Sequence, residues 1–186
     1  MIVQSFSCEL FGEFSTKSAL HSDEKCRFKI DIAFKTVKIL HTLEIYCIEF
    51  SDYYVSNLIP KLDLSQTKEI GINVNVELDR EILESILQQN LEKLDLSCYH
   101  SKNANPAVSV FKRCPKIKDI EIRSYGCSLI NKNILKELIL TKRESKIDKL
   151  ILYPVAKFDQ ADYVKLIDGH MAPNSSVQLK LKSYNK

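Results

Sequence analysis

One phrase, apolar-x-x-apolar-x-apolar, recurs along the chain. Its clearest copy is Leu91-Glu92-Lys93-Leu94-Asp95-Leu96, with others at Leu40-x-x-Leu43-x-Ile45, Ile117-x-x-Ile120-x-Ile122 and Ile147-x-x-Leu150-x-Leu152. Weaker copies are Thr67-x-x-Ile70-x-Ile72 and Ser176-x-x-Leu179-x-Leu181. With the fourth place as marker (43, 70, 94, 120, 150, 179), the steps are 27, 24, 26, 30 and 29 residues. Alternation by two inside the phrase is that of a strand with one buried face. The rest of each step has room for one helix.

The alternation predicts strands at about 38–47, 68–74, 91–97, 117–123, 148–153 and 177–182, the fifth stopped by Pro154. Between them, helical spacing takes over. Ser51 or Asp52 can cap a helix over 52–60, which Pro60 limits. Asp79 caps the next, whose Ile82, Leu83, Ile86 and Leu87 form one stripe. Pro106 suits the first turn of a helix over 106–113. A helix over 131–141 carries Ile134, Leu135, Leu138 and Ile139, and one over 159–168 has Gly169 in place for a C-terminal cap.

A strand followed by a helix at every step makes consecutive strands parallel, with the helices on one side. Together with the period, this predicts an α/β, leucine-rich-repeat-like solenoid with parallel strands on the concave side and helices behind. Residues 36–186 form that array and end in a capping strand. Lys180 and Lys182 on the strand's polar side discourage edge-to-edge pairing. Residues 1–35 do not carry the repeat. Cys26, Phe28, Ile30, Ile32 and Phe34 alternate as in a strand, and the region reads as an N-terminal cap over the first unit or as the trailing edge of something removed upstream.

Composition narrows the setting. A chain of 186 residues with 45% hydrophobic and 27% charged residues suits one globular domain. No run approaches the roughly 18 to 20 apolar residues that cross a bilayer, so no membrane partner is expected. Met1 to Phe6 lacks a basic leader. The six cysteines (8, 26, 47, 98, 114, 127) form no Cys-x-x-Cys pair, which points to reduced, mostly buried thiols in the cytoplasm or nucleus. Asn174-Ser175-Ser176 then matches a glycosylation acceptor by chance. A net charge of +3 is mild and does not point to nucleic acid.

Two stretches resemble known repeats. Phe111-Lys112-Arg113-Cys114-Pro115-Lys116-Ile117 resembles the helix-end Cys-Pro of cysteine-containing leucine-rich repeats in F-box proteins. Residues 42–96 resemble the F-box-associated FTH homology domain that nematodes have multiplied. The match runs through Leu43-Glu44-Ile45, Phe50-Ser51-Asp52, Val55, Leu58-Ile59-Pro60, Leu62-Asp63, Glu69-Ile70-Gly71-Ile72 and Leu91-Glu92-Lys93-Leu94. That domain's Gln-Trp-Lys-like phrase is replaced here by Gln88-Gln89-Asn90, and no F-box helical segment is visible ahead of the repeats. The resemblance implies a non-enzymatic substrate-recognition region of an F-box-type receptor for a cullin ubiquitin ligase. The alternative is a structural or regulatory repeat protein without a ubiquitin link.

In such an array the side chains between the inward aliphatics face the concave surface, where partners bind. The candidate partner-binding residues are Glu44, Tyr46, Glu69, Asn73, Lys93, Asp95, Glu121, Arg123, Lys149 and Tyr153. This face shades from acidic in the first repeats to basic in the last. Tyrosine and arginine are the residue types that anchor protein interfaces. A monomer receiving a protein partner is the expectation, with no cofactor and no metal. The enzymatic alternative rests on Cys98 and His100 near Asp95, a thiol beside a base but without an orienting group or oxyanion donors. Adding Cys114 and Cys127 matches no common zinc spacing. The basic run from Lys136 to Lys149 is offset by Glu137, Glu144 and Asp148, as on a solvated face. It also lacks the interleaved aromatics of a nucleic-acid track.

Overall fold

The computed structural model describes residues 2–10, 37–47, 58–100, 105–125 and 129–181. The strands are β1 (Ile2–Leu10), β2 (Val37–Cys47), β3 (Leu62–Asp63), β4 (Glu69–Leu78), β5 (Lys93–His100), β6 (Asp119–Tyr125), β7 (Ile147–Val155) and β8 (Met171–Leu181). They form one sheet in the order β1-β2-β4-β5-β6-β7-β8, with the two-residue β3 beside the start of β2. Every pairing is parallel. Four helices are described: α1 (Arg80–Ile86), α2 (Pro106–Arg113), α3 (Lys132–Leu140) and α4 (Gln160–His170), together with a 3-10 turn at Ile59–Lys61. The chain is therefore α/β with an all-parallel sheet.

The repeated phrase sets the register. Leu43, Ile70, Leu94, Ile120 and Leu150 are successive cross-strand partners, and so are Ile45, Ile72, Leu96, Ile122 and Leu152. These ten side chains are at most 2% exposed. Full burial of one such side chain contributes about 1.5–3 kcal/mol. Behind them lie Ile82, Leu83 and Ile86 of α1, Val110 and Phe111 of α2, Leu135 and Leu138 of α3, and Leu166 of α4. All belong to one continuous core on one face of the sheet.

The phrase's second residue closes each step. The carbonyl of Lys68 accepts from the N–H groups of Glu92 (2.8 Å) and Lys93 (3.0 Å). Glu92 O does the same for Lys118 and Asp119, and Lys118 O for Asp148 and Lys149. β5, β6 and β7 thus each start from the same backbone anchor on the preceding step. Helix starts are equally local. Asp79 accepts from Ile82 N at 2.8 Å, while Asn105 and Asn131 each accept from two first-turn N–H groups. Pro106 stands in the first turn of α2, where it has no ladder bond to lose.

Within residues 1–35, β1 pairs in parallel with β2, Phe6 opposite Leu43. Three expectations are corrected. First, β7 runs through Pro154 to Val155. Proline lacks an N–H, but it falls where the β7–β8 register shifts between Leu152 and Val155, and such irregularities accommodate it. Second, α4 continues to His170, so Gly169 is helical and not its cap. Third, Leu150 pairs with Val177 and Leu152 with Leu179, so the last phrase is offset by two and the last step (150 to 177) is 27 residues. The strand predicted at Cys26–Phe34 lies outside the described residues. So does the helix over 52–60, except at its end.

The inward pairs should not be equivalent. Leu94→Ala or Leu150→Ala should lower stability in urea titrations by about 2–5 kcal/mol. Leu179→Ala, on a strand whose inward residues are only partly buried, should cost less than half as much.

Candidate interaction face on the open side of the sheet

Side chains between the inward pairs fall into register rows across the strands. The first row is Thr42, Glu69, Lys93, Asp119, Lys149 and Ser176. The second is Glu44, Gly71, Asp95, Glu121, Ile151 and Gln178, and the third is Tyr46, Asn73, Ser97, Arg123 and Tyr153. All ten residues selected from sequence stand on this face, opposite the helix-covered core. Gly71 has a role in the second row. The Glu44 side chain and the Tyr46 hydroxyl lie 3.7 and 4.0 Å from where a β-carbon on Gly71 would stand. Both therefore lean over the glycine.

The centre of the face is an ion-pair cluster. Glu121 is buried although it points away from the core. Arg123 Nη2 donates to one of its oxygens, and Lys149 Nζ donates to the other at 3.1 Å. Arg123 Nη1 also reaches Asp95 Oδ1 (3.3 Å) and Ser97 Oγ (3.4 Å), and Lys149 lies 3.7 Å from Asp119. The hydrogen bond to Glu121 holds the Lys149 ammonium above its ordinary pKa. Desolvation, aided by the nearby Glu121 charge, raises the carboxyl of Asp95. Four of the selected residues (Asp95, Glu121, Arg123, Lys149) thus bind one another. Lys93 and Asn73 stand exposed beside them.

A fourth row was not anticipated. Continuing the alternation two residues past Ser97 and Arg123 brings Tyr99 and Tyr125 opposite each other, with ring centroids 5.5 Å apart and planes tilted by 54°. With Tyr46 and Tyr153 they place four tyrosines toward the C-terminal ends of the strands. Tyr46 and Tyr99 are the more exposed, at 38% and 40%. Ending the predicted strands at 97 and 123 hid this pair, although period-two alternation pointed to it.

The thiol chemistry considered from sequence has no support at Cys98. Its side chain is buried, and burial pushes the thiol up to about 12, so little thiolate exists near neutral pH. The His100 side chain lies outside the described residues. Cys114 is likewise free, buried and raised to about 12. Behind the sheet it neighbours Arg143, whose guanidinium sits 5.1 Å from the Phe111 ring centroid and donates to Ile117 O at 2.6 Å. Burial lowers Arg143 to about 10. His170 stands T-shaped to the same ring, with centroids 5.4 Å apart. Its nitrogens lie beside the backbone of Leu138 and Ile139 without hydrogen-bond geometry, and burial lowers its pKa. Among the described residues, no group of three or more His, Cys, Asp or Glu could hold a metal ion, and no helix is long and apolar enough to cross a membrane.

Comparison with protein-family models, curated proteins and solved structures finds no match for this chain.

Two outcomes test these local readings. Glu121→Gln keeps the shape but leaves Arg123 and Lys149 under-compensated, and should cost roughly 1–2 kcal/mol by urea unfolding. Asp119→Asn breaks only a half-exposed pair and should cost under about 1 kcal/mol. For His170, the folded pKa lies below the unfolded value near 6.5. Its contribution is therefore present above about pH 6.5 and lost as pH falls toward the folded pKa. The parent chain should lose urea midpoint between pH 7.5 and pH 5, and His170→Phe should flatten that loss.

Proposed function

We propose that this chain is a non-enzymatic protein-interaction module, a leucine-rich-repeat-like array that receives a protein partner on its open sheet face. The tyrosines carry the reading. Four of them share one rim of that face, on strands whose register is fixed by a fully buried core. Large, stiff side chains with a polar tip, held on a rigid base, are what interfaces use as anchors. The neighbouring charges are largely neutralised by one another, so a partner covering them need not strip water from isolated ions.

The partner's identity rests on a separate argument. The sequence resemblance over residues 42–96 favours capture of a substrate for a cullin-type ubiquitin ligase. The second reading, a structural or regulatory repeat protein, draws on the ion-pair cluster itself, because charges satisfied within one chain also suit an ordinary solvated sheet.

Affinity capture from cell extract separates the two. Proteins retained by the parent chain should be lost, by a factor of about ten or more, on Tyr99→Ala or on Tyr46→Ala with Lys93→Glu, the effect of removing an anchor. They should be kept with Lys136→Glu on α3. Equal retention by every variant rejects the open face. Recovery of a cullin adaptor with the full-length gene product tests the ligase assignment independently. Arg123 is unsuited to the purpose, since altering it disrupts the cluster as well as any contact.

A further inference from the structure

The last layer of the array differs from the rest. Its inward residues Val177 and Leu179 are only partly buried, and Leu181, next in the alternation, is 59% exposed. The inward pairs of the five preceding strands are at most 2% exposed. Behind the pairs of β4 to β7 lie the helices α1 to α4 that follow those strands. α4 has α3 on one side. At the β8 edge of the sheet lies a groove of about 560 Å³, lined by Phe158, Tyr163 and the consecutive residues Val177 to Leu181, so it takes side chains from both faces of the edge strand. The two wall rings are stacked, with centroids 6.5 Å apart. Val164 on α4 is exposed as well. Among the described residues, the charged ones lining the groove are Lys157 and Lys180, with no carboxylate beside them. Asp159, next in the chain, is turned to Lys132 at 3.8 Å.

We infer that this groove, at the β8 edge and apart from the tyrosine rim, docks an amphipathic helix of a partner protein whose apolar stripe is flanked by acidic residues. Its place continues the series of helices packed behind the sheet, so the occupant it fits is a helix presenting apolar residues at i, i+3, i+4 and i+7. The two lysines at its margins select carboxylates beside that stripe and disfavour a basic partner.

The probes are two synthetic 18-residue peptides with the same leucine stripe, one with glutamates and one with lysines on the flanks, titrated into the intact chain by fluorescence anisotropy. The acidic peptide should bind at least tenfold more tightly than the basic one. Lys157→Glu with Lys180→Glu should reverse that order, and Leu181→Ser should weaken the acidic peptide by fivefold or more. Unchanged circular dichroism would show the variants folded, and the reversed preference is itself a gain that an unfolded chain cannot give. Equal affinity for both peptides, or no binding, overturns the inference. So does a concentration-dependent dimer in light scattering that Leu181→Ser abolishes, which would assign the groove to a second copy. Acidic-peptide affinity that rises tenfold when residues 182–186 are removed would assign it to the chain's own end, and equally overturns the inference.

Discussion

The fold depends on a register lock. Two aliphatic side chains per strand must fall opposite two on the next, and a one-residue slip would turn them to the solvent. The lock operates at two levels. The buried pairs make misregister costly, while a carbonyl at Lys68, Glu92 and Lys118 catches two consecutive N–H groups of the following step. Because this anchor is backbone to backbone, it tolerates steps of different length. The excursion from Ile70 to Leu94 and the longer one from Ile120 to Leu150 return to the same starting geometry.

That rigidity shapes the open face. With strand positions fixed, charged residues one strand apart are held close enough to pair, and Glu121 is enclosed by Arg123 and Lys149. Charge on a sheet face is therefore a poor guide to where a partner binds, since the sheet itself supplies counterions. Tyr99 and Tyr125 meet each other at the rim, beyond the ion-pair cluster. They extend the apolar content of the rim without adding net charge.

The architecture was legible because the same short pattern recurs, and five of its six markers pair as read. The sixth failed for a physical reason. Ser176-x-x-Leu179-x-Leu181 imitates the phrase, but β8 starts at Met171 and carries extra residues before Ser176, with Asn174 at φ 63°, a conformation asparagine tolerates. Pattern alone cannot see such an insertion. Pro154 misled similarly, since its missing N–H matters only where the ladder asks for one. Of the site, the face was legible from alternation. Which of its charges were already engaged was not, because cross-strand pairing depends on lateral order. Tyr99 and Tyr125 were lost to strand ends set too short.

All the described strands run the same way, so their C-terminal ends share one rim, with its tyrosines at set intervals. From Tyr46 on β2 to Tyr153 on β7 are four lateral strand spacings, roughly 19 Å at the usual interstrand distance. An extended segment of about six residues covers that length. Whatever engages both outer rings at once must therefore lie across the strands, and its own side-chain spacing would be measured against a ruler the backbone has already marked.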